Sequence, residues 1–180
     1  MKRAIFTIGL VILVWSESVG QVVRFAIDGP KPPTLEALID FSPIIVEATV
    51  ESAFPVIDRR PLTSDFLIRV NKVVKGNLTS NQIAVHQFGG TLGGRTADPG
   101  QYSLMLPGER YILFLIGNAL PNLPDRGVPR YDLAASFYGL ARIEGSQVTW
   151  SKGMPETWRT TYRLQPDQLI TAIQTRSQTR

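Results

Sequence analysis

Cysteine is absent from all 180 residues, and histidine occurs once, as His86. The first absence excludes disulfide bonds, thiol catalysis and zinc held by cysteinate. The second excludes a metal centre built from several imidazoles. No G-x-S-x-G segment occurs, so the sharp elbow that presents a hydrolase serine is missing. The dinucleotide and P-loop spacings are missing too. Glycines at 89, 90, 93, 94 and 100 fit neither, and no lysine follows them. Acids and bases nearly balance, at 15 against 19, and Lys and Arg form no dense run, which argues against a nucleic-acid partner. No apolar run approaches the ~20 residues that cross a bilayer. Tyr111 to Ile116, "YILFLI", is far too short and predicts a buried strand. No cofactor motif is found.

What is present begins with an N-terminal leader. Lys2 and Arg3 precede a nearly unbroken apolar run from Ala4 to Trp15, and Ser18-Val19-Gly20 supplies small residues in the spacing a signal peptidase accepts. Residues 1–20 are expected to be a signal peptide cleaved after Gly20, which places the protein outside the cytoplasm, secreted or periplasmic, in a bacterium. Cleavage takes the formal charge from 19 − 15 = +4 to 17 − 14 = +3, enough for solubility and too little to attract a polyanion. A chain of this size buries about two-thirds of its surface without covalent staples. Packing alone is therefore expected to hold the core.

The hydrophobic period then changes along the chain. Residues 21–33 form an extended entry segment ending in "GPKPP". Thr34 caps a short helix carrying Leu35, Leu38 and Ile39. From Ile44 the period is two, with Val46, Ala48 and Val50 on one face and Glu47, Thr49 and Glu51 on the other. Phe66, Ile68 and Val70 alternate in a second strand, whose phase slips at Asn71-Lys72 and predicts a bulge. Ile83, Val85 and Gln87 mark a third. Two strands are expected around Pro107-Gly108-Glu109, and others in 131–143 and 147–150, the last pair joined by a turn at 144–146. Pro166 opens a final helix with Leu169, Ile170 and Ile173 on one stripe. The expectation is one β-barrel domain over 34–174, mainly β, with one N-terminal and one C-terminal short helix and a frayed polar tail at 175–180. A barrel is favoured over an open sheet because closure removes exposed strand edges.

Two places draw attention as sites. The first is "HQFGGTLGGR", with His86, Gly89, Gly90, Gly93, Gly94 and Arg95. Its glycines predict a loop with positive φ angles, and His86 is expected on a partly exposed strand face. The second is "TWSKGMPETWRTTYR", which brings Trp150, Trp158 and Tyr162 near Arg159 and Arg163. Aromatic residues with Arg anchor interfaces and stack sugars or bases; packed beneath the last helix, they would instead close one end of the core. Glu47 with Glu51 is a solvated pair, and Asp125 with Asp132 lacks the spacing of a calcium loop. Asn77-Leu78-Thr79 matches the N-glycosylation pattern.

The segments "SPIIVEATVESA", "FLIRVNKVVKGN", "IAVHQFGGTLGG", "LPGERYILFL" and "YGLARIEGSQVTW" follow one another in an order that resembles a group of uncharacterised bacterial exported proteins. That group is distantly similar to the tissue inhibitor of metalloproteinases and the netrin-type domain. The resemblance implies a small OB-like barrel over roughly residues 39–150 and no defined activity. The inhibitors chelate the protease zinc through an N-terminal cysteine, which this chain lacks. The reading is a non-catalytic binding module, a monomer, with a protein or glycan partner and no membrane span after cleavage. The alternatives are a protease inhibitor that acts through barrel-end loops and a hydrolase of unfamiliar design using Glu47, His86 or Asp98.

Overall fold

A computed structural model describes residues 22–24, 32–56, 62–98, 103–117 and 126–179. The leader and its cleavage site at Gly20 lie outside the described residues, as do Pro99, Gly100 and Asp125.

The strands are β1 (Val22–Arg24), β2 (Ile44–Val56), β3 (Thr63–Lys75), β4 (Gln82–Phe88), β5 (Gly90–Leu92), β6 (Arg95–Asp98), β7 (Arg110–Gly117), β8 (Arg130–Leu133), β9 (Leu140–Glu144) and β10 (Gln147–Trp150). The helices are α1 (Leu35–Phe41), α2 (Glu156–Thr161) and α3 (Pro166–Gln178), with a 3-10 turn at Ser136–Gly139. Strands β2, β3, β4, β8 and β7 pair in that order, and β7 pairs back onto β2, so five strands close a barrel. Every pairing in the ring is antiparallel except β4 with β8. This is an OB-like barrel.

Closure needs curved strands, and bulges supply the curvature. In β2 the residue Glu51 is skipped between the pairs Val50↔Ile68 and Ser52↔Leu67. In β3 the residue Asn71 is skipped between Glu47↔Lys72 and Ala48↔Val70, where the alternation of the sequence slips.

Inside the ring pack Val46, Ala48, Val50, Phe66, Ile68, Ile83, Val85, Met105, Tyr111, Leu113 and Leu115. A second core lies outside the ring. There α1, α2 and α3 cover the outer face of β7, β9 and β10 with Leu38, Ile39, Ile112, Phe114, Trp150, Trp158, Leu169 and Ile173. β7 is therefore buried on both faces, which is why its sequence is continuously apolar.

One edge of β7 is shared by two partners. β9 pairs with its first half and β8 with its second half. Between them the chain detours through Ala135 and Ser136, both left-handed at φ 50° and 57°, and returns through Gly139. The Phe114 carbonyl accepts the Ala134 amide at 2.8 Å there. A Cβ on Gly139 would lie 2.7 Å from that carbonyl oxygen and 2.6 Å from the Ala134 oxygen.

Several expectations differ from this arrangement. The segment before Pro107 is not a strand. The Gln87 side chain takes its place as a partner, donating to the Ser103 carbonyl at 3.0 Å and accepting from the Met105 amide at 3.1 Å. The glycine-rich stretch has the positive φ angles expected of it, but it folds into the hairpin β5–β6 with Gly93-Gly94 as its two-residue turn. That turn needs φ > 0 at both positions, which glycine adopts without strain. α3 runs on to Gln178, into the tail expected to fray, because Arg176 forks onto Asp40 of α1 at 3.0 and 2.6 Å.

Candidate recognition face

The alternation of β3 turns Phe66 inward and Asp65 outward. A carboxylate on the outside of a barrel is ordinarily solvated, yet the Asp65 side chain is 1% exposed. The strand register explains its company. Phe54, Asp65, His86 and Asp132 stand opposite one another across β2, β3, β4 and β8. His86 Nδ1 donates to Asp65 Oδ1 at 2.9 Å, and the imidazole is 3% exposed. Arg130 donates to Asp65 Oδ2 at 2.5 Å. Arg126, just ahead of β8, contacts the same oxygen through Nε at 3.4 Å and lays its guanidinium over the Phe54 ring, 4.6 Å from the centroid. One carboxylate thus ties β3, β4, β8 and the approach to β8 together, and Arg126 carries the tie to β2.

Burial alone would raise the Asp65 pKa, because it disfavours the charged form. The hydrogen bond from His86 and the charge of Arg130 outweigh it, with smaller contributions from the His86 charge and Arg126, and Asp65 is held below the usual carboxylate value. The carboxylate is ionised near neutral pH, and two cations share its charge.

The His86 ring does not stand on a half-exposed strand face. It is buried against Asp65 and meets Phe88 edge-on with centroids 6.0 Å apart. Its Nε2 is buried and has no hydrogen-bond partner among the described residues. An imidazole oriented by a carboxylate through Nδ1 is the arrangement of a general base. No serine or threonine hydroxyl completes it among the described residues, and no group of three His, Asp or Glu there is placed to hold a metal. Glu47 instead pairs with Arg110, and Glu51 with Arg69 and Gln82, on other parts of the surface. The backbone of Asp98 pairs with Arg24 in β1.

The residues singled out from the sequence separate into two groups. Gly89 and Gly90 are buried where the chain leaves β4, with the Ser64 hydroxyl donating to the Gly89 carbonyl at 2.8 Å. Gly93, Gly94 and Arg95 form the exposed tip of the hairpin. Trp150 and Trp158 belong to the helix-side core. Their rings meet edge-on at 5.8 Å, Trp158 meets Tyr162 at 4.7 Å, and Trp150 donates to the Tyr162 carbonyl at 2.8 Å. Arg159 pairs with Glu156, and Arg163 bonds the Gln147 side chain at 3.0 Å. The structure does not bring this segment together with His86.

Sequence reasoning missed Asp65, Arg126, Arg130 and Phe54. The signal was an acid placed inside a strand, a position from which Asp is depleted. Its partners are 61 and 65 residues away, beyond the reach of any local pattern.

Phe54 and Phe88, 38% and 36% exposed, stand on the same outer strand face as Asp65 and His86, and Leu92, 38% exposed, lies on β5 of the hairpin that follows. No helix among the described residues is long and apolar enough to cross a membrane. In comparisons with known proteins, no family model and no curated protein matches the sequence.

Proposed function

We propose that this protein is an exported, non-catalytic binding module that meets a protein or glycan partner on the outer face of β2, β3 and β4 and on the β5–β6 hairpin. Export rests on the N-terminal leader pattern. The observation that supports the binding reading best is the pair of exposed Phe54 and Phe88 on strands held by a buried charged cluster, with exposed Leu92 on the hairpin that follows β4. Apolar groups held on a rigid sheet lose little entropy on binding, which is how preorganised surfaces gain affinity.

A second reading has one observation in its favour. The Asp65–His86 pair is oriented like the base of a hydrolase. Against it, both groups are nearly inaccessible, and the carboxylate's charge is spread over Arg126 and Arg130.

A paired screen separates the two. Binding is measured against a glycan array and a panel of secreted metalloproteases and serine proteases, and turnover against ester, peptide and glycoside substrates. The binding reading expects a saturable partner whose affinity falls about tenfold or more when Phe88→Ser and Leu92→Ser are combined, since each buries a large apolar side chain at the contact. Slowed cleavage by a bound protease would make the module an inhibitor. Turnover that disappears in a folded His86→Ala variant contradicts the reading.

A further inference from the structure

Arg126 is held in an unusual way. Its Nε edge faces the buried Asp65 carboxylate, and its plane lies over Phe54. Those two contacts fix where the guanidinium points. The terminal Nη1 and Nη2 groups have no hydrogen-bond partner among the described residues, and the side chain is 26% exposed. A guanidinium presents donors in a planar fork that matches a carboxylate in two parallel bonds. Here the fork is oriented before any ligand arrives.

Two arginines and two carboxylates meet here, so the attraction for an anion comes from the oriented fork and not from net charge. Arg130 also faces Asp65 and is 12% exposed, so two cations flank one carboxylate. Asp132 stands opposite His86, one strand beyond. The surroundings are apolar on the other side. Phe88 lies two strands from Phe54 and two residues along, which is about 12 Å by strand spacing and rise. An extended peptide covers that distance in three or four residues.

We propose that Arg126 is the anion-reading residue of a docking surface for an extended peptide segment carrying one carboxylate and, three or four residues away, a large apolar side chain that packs on Phe88. This rests on the binding-module reading and names the partner for its sheet face. A repeating polyuronate fits less well, because a single outward fork cannot match a line of carboxylates.

The test uses the full mature chain labelled with nitrogen-15 and follows the Arg126 Nε–H resonance together with the backbone amides. The probes are a capped octapeptide with one aspartate and a phenylalanine four residues on, the same peptide with asparagine, and trigalacturonate. The aspartate peptide is expected to shift the Arg126 resonance saturably and to bind about tenfold or more tightly than the asparagine peptide, the usual size of a hydrogen bond to a charged group. Arg126→Gln is expected to erase that difference in a chain that stays folded, with its own amide shifts confined to the neighbours of Asp65 and Phe54. Equal binding of the two peptides overturns the proposal, and so does an Arg126 resonance that stays still. Trigalacturonate moving that resonance while the peptides do not overturns the choice of a peptide. Peptide-induced shifts confined to Leu92 and Arg95 would sink this site and leave the binding module standing.

Discussion

At Asp65 three donors from distant parts of the chain converge on a single carboxylate, and the arrangement has a pH signature. The folded state lowers the carboxyl's pKa, so the native protein binds fewer protons there than the unfolded chain does. The associated stability is complete above the ordinary carboxylate value of about 3.9 and is lost as the pH falls through the lower folded value. Removing the charge takes a partner from His86, Arg126 and Arg130. Breaking a buried pair costs about 3–5 kcal/mol, and the partial exposure of both arginines, which lets them turn to water, favours the lower end, about 3 kcal/mol. Urea denaturation of Asp65→Asn at pH 7 is therefore expected to show a loss of about 3 kcal/mol. The difference from the native protein should shrink as both are acidified below pH ~4. A constant difference down to pH ~2 would mean that the Asp65 charge is not what the variant removes.

At the scale of elements, much was legible. The change of period at Ile44 marks β2, the slip at Asn71 marks a bulge, and the stripe of Leu169, Ile170 and Ile173 marks α3. Each of these is set by neighbours a few residues apart. The hairpin β5–β6 was less legible, because glycines adopt positive φ equally well in a loop and in a tight turn, and the ladder from Thr91 to Thr96 is not encoded by apolar alternation. His86 was misjudged for a related reason. A polar residue on the outer face of a strand implies solvent unless something encloses it, and the arginines that share its partner Asp65, Arg126 and Arg130, come from a distant segment. The parallel pairing of β4 with β8 leaves no local mark either.

The junction of β8, β9 and β7 depends on one glycine in a comparable way. Gly139→Ala places a methyl against the Phe114 carbonyl of β7, which is held by the Ala134 amide, and against the Ala134 carbonyl of the turn after β8. Overpacking of this kind costs about 1–3 kcal/mol. A fall in Tm of about 2–12 °C is expected for a domain of this length. An unchanged Tm would mean that β8 and β9 do not share the edge of β7 as described.

For the whole molecule, two cores on opposite sides of one sheet divide the labour. The helix-side core takes up Trp150, Trp158 and Tyr162, so these aromatics hold α2 and α3 in place. The helices reach the outer face of β2 and β3 only at Ile45 and Val74, and around Asp65, farther along both strands, a charged cluster replaces hydrophobic cover. The two short β8 ladders close the ring, and Arg130 lies at the start of β8. Asp65 accordingly stabilises the closure of the barrel and, with it, the surface proposed to meet a partner.

Amide hydrogen exchange across the β4–β8 seam tests that linkage most directly. The Ala84 amide donates to the Pro129 carbonyl at 2.9 Å, whereas Ile112 and Leu113 sit in the β7 ladder away from the cluster. In Asp65→Asn the exchange of Ala84 is predicted to accelerate about tenfold beyond any change at Ile112 and Leu113, because local opening of the seam then precedes global unfolding. An equal acceleration at all three amides, or none at Ala84, would contradict a barrel closed and presented through its buried carboxylate.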